Sequence, residues 1–589
     1  MGGSVARMLR SPFALVTMLV LTWFIAVLLL WPNVNLLIET FFPDGEFSGR
    51  AVERLLSSER AMRSLRNSVV LAVALSVSTN IVGIFIVLVT GYFKIRGSRV
   101  LWLGYATTLI YGGIVLAAGY RFVYGSDGIV TGLLLRAFPT MDPDWFQGFF
   151  AVLVVMSFAT TSNHLLFLSS AIAKVDQQTI EAARNLGARE WTILRRVVLP
   201  TVKPMIIAIT VLSFLTGLGA LSAPQLLGGE QFQAVAPLIL TFAGSPTSRD
   251  LAALMALVLG LATMAVLAVL TRMEAGGTYF SLSKVATPLV KQRIMSPVAN
   301  GVVHALAYLL FLVYATPVVL IVLYSFVDSH SIETSSFAVD KMSLDNYVRV
   351  LTQSRALRPF LVSVIYSALA AGIAVVGLLL VTRILVRYRN AVTTATEYLL
   401  HVPWLLPAAM IALGLILSFD QPSPLLFGFV LSGTPLILLV AFVIAKIPFT
   451  LRLLKAAFAS IDGSLEEAAV LMGAGTWTIF RAIILPAVAP VAAAVFALNF
   501  ISLLDDYDTA VFLAHPLYQP LGPVVQAAAQ STVDLDARAN TFVYTVLLML
   551  ISGLAMWLVY GRASRGSRRR IRCAPTRPTS SRTGSVSGG

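Results

Sequence analysis

Uninterrupted apolar stretches of about 20 residues recur along nearly the whole chain and constrain its fold more than any other feature. An α-helix of about 20 residues crosses a hydrocarbon core about 30 Å thick. Because lipid offers a peptide group no hydrogen-bond partner, such segments must be helical. The composition agrees, since 57% of the 589 residues are hydrophobic and only 12% are charged. We therefore predict an all-α integral membrane protein.

The stretches predict about twelve transmembrane helices in two tandem six-helix halves. The predicted spans of the first half are 12–31, 67–90, 100–120, 146–172, 204–227 and 250–271. Those of the second half are 301–327, 360–382, 394–418, 424–455, 488–513 and 541–560. The domain bounds that follow are a first half at 1–275, a cytoplasmic linker at 276–300, a second half at 301–563 and a disordered basic tail at 564–589.

Lys and Arg residues set the predicted orientation, because cytoplasmic loops carry an excess of both. Most basic loop residues fall on one side, which we assign to the cytoplasm together with the N- and C-termini. The formal charge of +15 fits this topology, and attraction to anionic lipid of the bilayer, better than it fits binding to nucleic acid. The single cysteine, Cys573, excludes an internal disulfide and a cysteine metal cage.

One polar segment occurs twice in this hydrophobic chain. The first copy, DQQTIEAARNLGAREWTILRRVVLP, runs from Asp176 to Pro200, and the second, DGSLEEAAVLMGAGTWTIFRAIILP, runs from Asp462 to Pro486. A shift of 286 residues superimposes the two copies. An even number of predicted spans separates them, so both lie on the same face of the membrane. The repeat indicates a parallel tandem duplication with two equivalent docking surfaces.

Each copy predicts two short helices joined by a glycine bend. An Asp caps the first helix, a Gly in the left-handed conformation ends it, and a Pro stops the second helix. These residues are Asp176, Gly187 and Pro200 in the first copy and Asp462, Gly473 and Pro486 in the second. The paired alanines leave a smooth surface that a partner can approach closely, and the glutamate before them supplies a charge for a basic residue opposite.

The pattern Glu-Ala-Ala, then Gly, then Leu-Pro resembles the EAA loop in the membrane subunits of binding-protein-dependent ATP-binding cassette (ABC) importers. The resemblance implies the type I importer transmembrane fold and a place in the bacterial cytoplasmic membrane. It also implies that each loop is a coupling helix in a groove of a separate cytoplasmic ATPase subunit, so two copies of that subunit are expected. An extracytoplasmic solute-binding protein is the other expected partner. The implied coupling residues are Glu181, Ala182, Ala183, Gly187, Glu467, Ala468, Ala469 and Gly473.

No Lys in the sequence follows a Gly, which excludes a phosphate-binding loop ending in Gly-Lys. We therefore expect no enzymatic activity, catalytic residue, metal site or cofactor in this chain, with ATP and magnesium bound by the partner ATPase subunits. An ion-coupled secondary transporter is the main rival, since it too can have twelve spans in two halves, but it has no need of two matched docking helices. A membrane-embedded enzyme is a more distant alternative, because no paired His-Glu metal motif or nucleophile–base arrangement occurs at the spans.

The resemblance implies a substrate pathway between the halves, lined largely by the spans that follow the repeated loops. In the second of these spans, Asp505, Asp506 and Asp508 form the densest acidic group at membrane depth. Ionisable residues at such depth indicate a functional site. Acids that face a water-filled path would favour a cation. The alternative is that the span ends early and the three acids form an external cap.

Two stretches bear on the transported substrate. Residues 223–229, APQLLGG, and 502–513, SLLDDYDTAVFL, resemble polyamine permeases, whereas the fused single chain is similar to ferric-iron and thiamine permeases. The expected substrate is therefore ferric iron or a polyamine-like cation, with a thiamine or phosphonate-type permease as the alternative. Three other polar residues in the spans, His164, Glu397 and His401, are weaker pathway candidates for which a hydrogen-bonded structural role is favoured.

Overall fold

The computed structural model describes residues 8, 11–275, 289–327, 342–531 and 535–558. Within these ranges the chain is helical, with two isolated β-bridges and no longer strand. Ten of the described helices are long and apolar enough to cross a membrane, and two further helix pairs meet the same test but are bent. With each bent pair counted as one crossing the total is twelve, which confirms the predicted all-α membrane fold. The tail at 564–589 and linker residues 276–288 lie outside the described residues.

The first half contains α1 (Pro12–Phe41), α2 (Glu59–Tyr92), the bent pair α3 (Ser98–Leu109) and α4 (Gly113–Ala137), α5 (Gly148–Ile172), α6 (Glu190–Leu218) and α7 (Arg249–Val269). The second half contains α8 (Pro297–Tyr324), α9 (Ser354–Arg387), the bent pair α10 (Ala391–Leu405) and α11 (Ala408–Ser418), α12 (Pro435–Ala459), α13 (Thr476–Leu504) and α14 (Asp536–Met556). Shorter helices lie at Arg50–Ser57, Gln177–Asn185, Ser222–Leu227, Val235–Ala243, Asp345–Thr352, Gly463–Leu471 and Leu521–Gln530.

The spans predicted at 100–120 and 394–418 are not straight helices. The first bends by 116° between α3 and α4, and the second bends by 106° between α10 and α11. Gly113 has φ of 51° at the first break, a conformation that glycine adopts without steric cost. Pro407, at the second break, has no N–H to continue a helix. Each predicted span is therefore corrected to two limbs, which lie in corresponding places of the two halves.

Several predicted bounds also move, and the spans expected at 204–227 and 488–513 end earlier, at Leu218 and Leu504. The span expected at 424–455 begins only at Pro435, and Gly433 just before it has φ of 71°. A left-handed glycine followed by a proline suits the start of a helix, so the residues from 424 to 434 belong to the preceding turn. In the same way α8 begins at Pro297, capped by the Ser296 hydroxyl, and so starts slightly before the predicted residue 301.

The second half repeats the helix bounds of the first with a constant offset from the repeated loop onward. Gln177–Asn185 corresponds to Gly463–Leu471, and the stretch Leu199–Leu218 corresponds to Leu485–Leu504, each shifted by 286 residues. The sequence repeat therefore extends to the whole architecture around it, as expected for a tandem duplication.

The first helix of each half packs on the opposite half. In α1, Met18 and Leu28 belong to one buried apolar cluster with Leu378 of α9. In α8, the backbone carbonyl of Ala307 accepts a 2.7 Å hydrogen bond from the Tyr105 hydroxyl of α3. The hydroxyl of Tyr314, also in α8, lies 2.8 Å from that of Thr161 in α5. This exchange joins the halves into one body.

The exchanged packing of α1 leaves no room for a methyl group on Gly414 of α11, because a Cβ there would lie 2.9 Å from the Pro32 carbonyl oxygen. We expect Gly414→Ala to destabilise the protein by roughly 1–3 kcal/mol through overpacking. Gly377→Ala is the matched control, since a Cβ at this helical glycine of α9 meets nothing within 4 Å. Thermal unfolding in detergent measures both, and equal stability of the two variants would contradict the placement of α1.

Candidate functional site: the repeat helices and the central cavity

The two repeated segments form a matched pair of exposed short helices, Gln177–Asn185 and Gly463–Leu471, which we call the repeat helices. The Asp176 carboxylate accepts from the Gln178 amide at 3.1 Å, and the Asp462 carboxylate accepts from the Ser464 amide at 3.0 Å. The same two glycine positions end the helices, with φ of 82° at Gly187 and 80° at Gly473. Both helices therefore have the cap and the bend that the sequence predicts.

Pro200 and Pro486 do not stop the helix that follows, which corrects the expected helix stops. In the first copy the backbone widens to a π-turn over Leu194–Val198, where the Leu199 amide donates to the Leu194 carbonyl, and the helix continues through Pro200. The second copy repeats this geometry over Phe480–Ile484. A π-turn takes up the missing N–H and the ring of proline without breaking the helix. Each repeat helix is thus joined by a short bend to a continuous spanning helix, α6 or α13.

A partly buried ion pair anchors the second repeat helix. Glu466 accepts two hydrogen bonds from Arg383 at the end of α9, at 2.5 and 2.6 Å, and Arg383 is only 7% exposed. Hydrogen bonding from Arg383 holds the pKa of Glu466 below its ordinary value of 4.5. An Arg–carboxylate pair in this bidentate geometry stabilises the helix and also fixes its position.

The first repeat helix is anchored differently. Ile180, at the position equivalent to Glu466, is fully buried in the first-half core. The Gln177 side chain accepts from the Val290 amide at 3.1 Å, and Arg184 donates to Gln292. Residues 290–292 just before α8 therefore lie against this helix, which is held by apolar burial and by the linker instead of an ion pair.

The outward faces of the two repeat helices match. Glu181 and Ala182 are exposed in the first, as are Glu467 and Ala468 in the second. Of the second alanines, Ala183 is half-buried and Ala469 is buried against the helix's own support. The outward face therefore includes the Glu and the first Ala of each triplet but not the second Ala.

Each repeat helix also ends in an exposed apolar tip that the motif reading missed. Leu186 is 88% exposed and its equivalent Met472 is 81% exposed, each directly before the bend glycine. A large apolar side chain is thus exposed at the same place in both copies. The signal in the sequence was an apolar residue immediately before the glycine in both copies of a polar segment.

A cavity of about 450 Å³ lies between the halves and is lined from both. The first half contributes the end of α6 and the break at Gly113, while the second contributes Trp404, Pro407 and Asp508. Non-helical backbone at membrane depth is tolerated where it is buried in protein or lines a cavity, which accounts for both bent pairs. At the cavity wall the Ser222 hydroxyl donates to Asp508, and these two residues are 286 positions apart. Two repeat-equivalent residues touch here, so the pseudo-two-fold axis passes through the cavity.

The structure separates the three acids that the sequence groups together. Asp505 accepts from the Gly112 amide at 3.2 Å, and Asp506 accepts from the Thr509 amide at 3.0 Å. Both interact electrostatically with Lys446 of α12, whereas Asp508 alone lines the cavity. Among the described residues, no group of three or more His, Cys, Asp or Glu side chains has a metal-binding arrangement. Asp505 and Asp506 thus hold the end of α13 against its neighbours.

His164, one of the weaker candidates, lies in the first-half core and does not line the central cavity. It is fully buried in α5, with its Nε2 3.3 Å from Asn80 of α2. Its ring packs on the bare backbone of Gly83, where a Cβ would lie 2.3 Å away. These contacts give His164 a structural part in joining α2 to α5.

Glu397 and His401 lie together beside a second cavity at the same end of the molecule as the repeat helices. Glu397 forms an ion pair with Lys455, and its carbonyl oxygen lies 2.7 Å from Nδ1 of His401. Trp404 lines both this cavity and the central one, with the Arg452 guanidinium 5.7 Å from its ring centroid. Trp404 is therefore the side chain shared by the two cavities.

Two similar halves around one cavity, with matching exposed helices at one end, define a polytopic transport protein. The chain belongs to the family of binding-protein-dependent transport system inner membrane components, whose model matches residues 5–275 and 373–566. It is 38% identical over 93% of its length to a probable ABC transporter permease of Sinorhizobium fredii strain NGR234, of which it covers 96%. It is therefore an ABC transporter permease in which two family domains are fused.

Two more distant relatives carry names that mention a substrate. The chain is 21% identical, over 85% of its length, to a putative ferric transport system permease of Haemophilus influenzae, of which it covers 78%. It is 28% identical, over 30% of its length, to the sulfate transport system permease of Escherichia coli, of which it covers 65%.

The Arg383–Glu466 pair gives a direct test of how the second repeat helix is held. We expect Glu466→Ile alone to destabilise this helix by about 3 kcal/mol, because it leaves Arg383 buried without a partner. The double variant Arg383→Leu/Glu466→Ile should regain most of that loss, since it imitates the apolar anchor of Ile180 in the first copy. Limited proteolysis at the second repeat helix measures both variants.

The pH dependence of the wild-type protein supplies the control. Because the pKa of Glu466 is lowered in the folded state, the ion pair contributes fully above pH 4.5 and its contribution is lost as the pH falls through the lowered pKa. The double variant should not show this acid-dependent loss of protection at the helix. A double variant as labile as Glu466→Ile would refute the apolar substitution argument.

Proposed function

We propose that this chain supplies two halves of the membrane permease of an ATP-driven importer, in which the two repeat helices couple the central cavity to two copies of a separate ATPase subunit. The observation that carries the proposal is the matched exposure of Leu186 and Met472 at the tips of both helices. Six crossings separate the repeat helices when the bent pair is counted as one, so both point to the same side of the membrane.

The basic residues support a cytoplasmic location for that side. Lys94, Arg96 and Arg293 lie beside the linker residues that contact the first repeat helix, and Arg383 and Arg387 lie beside the second. Cytoplasmic loops carry this excess of positive charge. ATP and magnesium would then bind to the ATPase subunits on this side, and a solute-binding protein would deliver the substrate on the other. Both termini belong to the cytoplasmic side in this arrangement.

For the transported substrate we propose ferric iron, released from its binding protein into the central cavity. Two observations support this choice: a relative similar over most of this chain is named as a ferric permease, and one carboxylate, Asp508, faces the cavity. A single carboxylate favours a cation without trapping it, because tight binding needs several ligands. A polyamine-like cation would use the same charge, whereas a thiamine or phosphonate substrate has no contact in the cavity that favours it.

The coupling proposal predicts that reversing the charge on both repeat helices separates the permease from its ATPase. Glu181→Lys/Glu467→Lys should lose ATPase co-purification and uptake, while the chain remains inserted and folded. Leu186→Asp/Met472→Asp should do the same, because each tip would place a charge in an apolar docking surface. The control is Asp420→Asn, which changes an exposed acid just after α11, away from the repeat helices. Uptake that persists without the ATPase would instead support an ion-coupled secondary transporter.

The pathway proposal predicts a selective effect of the cavity carboxylate. Asp508→Asn keeps an acceptor for the Ser222 hydroxyl but removes the charge, so we expect at least a tenfold fall in radiolabelled ferric-iron uptake with normal membrane insertion. Asp505→Asn removes an acid that does not line the cavity and should have a much smaller effect. Equal losses in the two variants would show that these acids act structurally.

Competition in the same uptake measurement identifies the substrate class. Excess putrescine, thiamine or sulfate should leave ferric-iron uptake unchanged in cells that carry the intact transporter. Competition by putrescine would indicate that the transported substrate is a polyamine-like cation and not ferric iron. Competition by sulfate would contradict the cationic pathway altogether.

A further inference from the structure

A basic cavity lies next to the first repeat helix, outside the central cavity. It measures about 520 Å³ and is formed where the loop after α2, the residues before α8 and the first turns of α8 meet. Its charged lining residues are Lys94, Arg96 and Arg293, accompanied by Asn300 and His304. No Asp or Glu is among the described residues that line it, and no ion pair forms on any of its three cations within the described chain.

The walls of this basic cavity are held by hydrogen bonds. The amide of Lys94 donates to the Gln292 carbonyl at 2.8 Å, and the Gln292 amide donates to the Tyr92 carbonyl at 2.8 Å. The Arg96 amide donates to Nε2 of His304 at 3.3 Å, and its carbonyl accepts from the Tyr308 hydroxyl at 2.9 Å. The backbones that carry the three cations are therefore fixed, while their charged side chains are exposed.

Three positive charges held together without a counter-charge repel one another unless an anion binds between them. The beginning of α8 adds the positive end of a helix dipole at the same place, since Asn300 and Gly301 of its first turns line the cavity. Phosphate oxygens accept the several charge-assisted hydrogen bonds that Lys and Arg side chains offer. The chemistry of the cavity thus favours a phosphate group.

The surface beside the cavity indicates where that phosphate group comes from. From the cavity onward, α8 exposes a run of large apolar side chains along the helix, namely Val298, Val302, Leu306, Leu309 and Leu312. In a membrane-spanning helix such a face contacts acyl chains. The basic cavity borders one edge of that face at Gly301, next to Tyr308, whose hydroxyl donates to the Arg96 carbonyl. It is therefore placed to take the headgroup of a lipid whose chains lie along the face.

We propose that this cavity binds the phosphate headgroup of an anionic phospholipid from the membrane leaflet on the side of the repeat helices. The site is built from residues 94–96, 293–294 and the start of α8, and it does not depend on the transported substrate or on ATPase docking. Arg293 of this site directly follows Gln292, which contacts both Gln177 and Arg184 of the first repeat helix.

The test uses the purified full-length chain and measures bound lipid by native mass spectrometry during titration with phosphatidylglycerol or phosphatidylcholine. Phosphatidylglycerol should bind with a resolved stoichiometry and raise the unfolding temperature, whereas phosphatidylcholine should do neither. Lys94→Gln/Arg96→Gln/Arg293→Gln should weaken phosphatidylglycerol binding at least tenfold, and Arg293→Gln alone should weaken it by a smaller factor.

The matched control is Arg50→Gln/Arg355→Gln/Arg358→Gln, which removes the same net charge from exposed positions at the other end of the spanning helices. It should bind phosphatidylglycerol like the wild type. Equal binding by the cavity variant and the wild type would overturn the proposal, as would equal loss in the control. Inorganic phosphate and glycerol 3-phosphate are the soluble probes, and displacement of the lipid by millimolar amounts of either would show that a free phosphate compound is the occupant instead.

Discussion

The contact between Ser222 and Asp508 at the centre of the molecule fixes the arrangement of everything around it. Equivalent residues of a duplicated protein meet only on the axis that relates the two copies, and these residues are 286 positions apart. The central cavity must therefore lie on that axis, and the two repeat helices must lie on opposite sides of it at equal depth. Both bent pairs also follow, because their breaks line the same cavity.

The two halves keep the same backbone while dividing the chemistry between them. Where the second half has Asp505, Asp506 and Asp508 after α13, the first half has Gly219, Ala220 and Ser222 at the equivalent positions. The second half thus supplies acidic side chains at these positions, and the first half supplies small residues that leave room for them. The anchors of the repeat helices differ in the same manner, with an ion pair in one copy and buried Ile180 in the other. A fused chain permits this divergence, because each half always meets the same partner.

Much of this architecture follows from local patterns in the sequence. The apolar stretches gave the membrane fold, and Asp176 and Gly187 act locally on the backbone, so the cap and the bend were predictable. The bends at Gly113 and Pro407 were not, because they depend on the neighbouring half that makes an interior cavity. The helix stop predicted at Pro200 is wrong because a π-turn just before the proline lets the helix continue through it. The acids were grouped by sequence proximity, whereas packing against Lys446 and Ser222 separates them.

The exchanged first helices have a consequence for biosynthesis. Helix α1 is synthesised before α9, yet its apolar cluster with Leu378 is completed only after the ribosome has made most of α9. At the usual rates of protein synthesis this delay is on the order of tens of seconds. During that time Met18 and its neighbours face lipid or a chaperone, and the covalent connection keeps α1 near the growing chain. Fusion of the halves thus replaces the association of two separate subunits with a delay during synthesis, in which α1 lacks α9 as a partner.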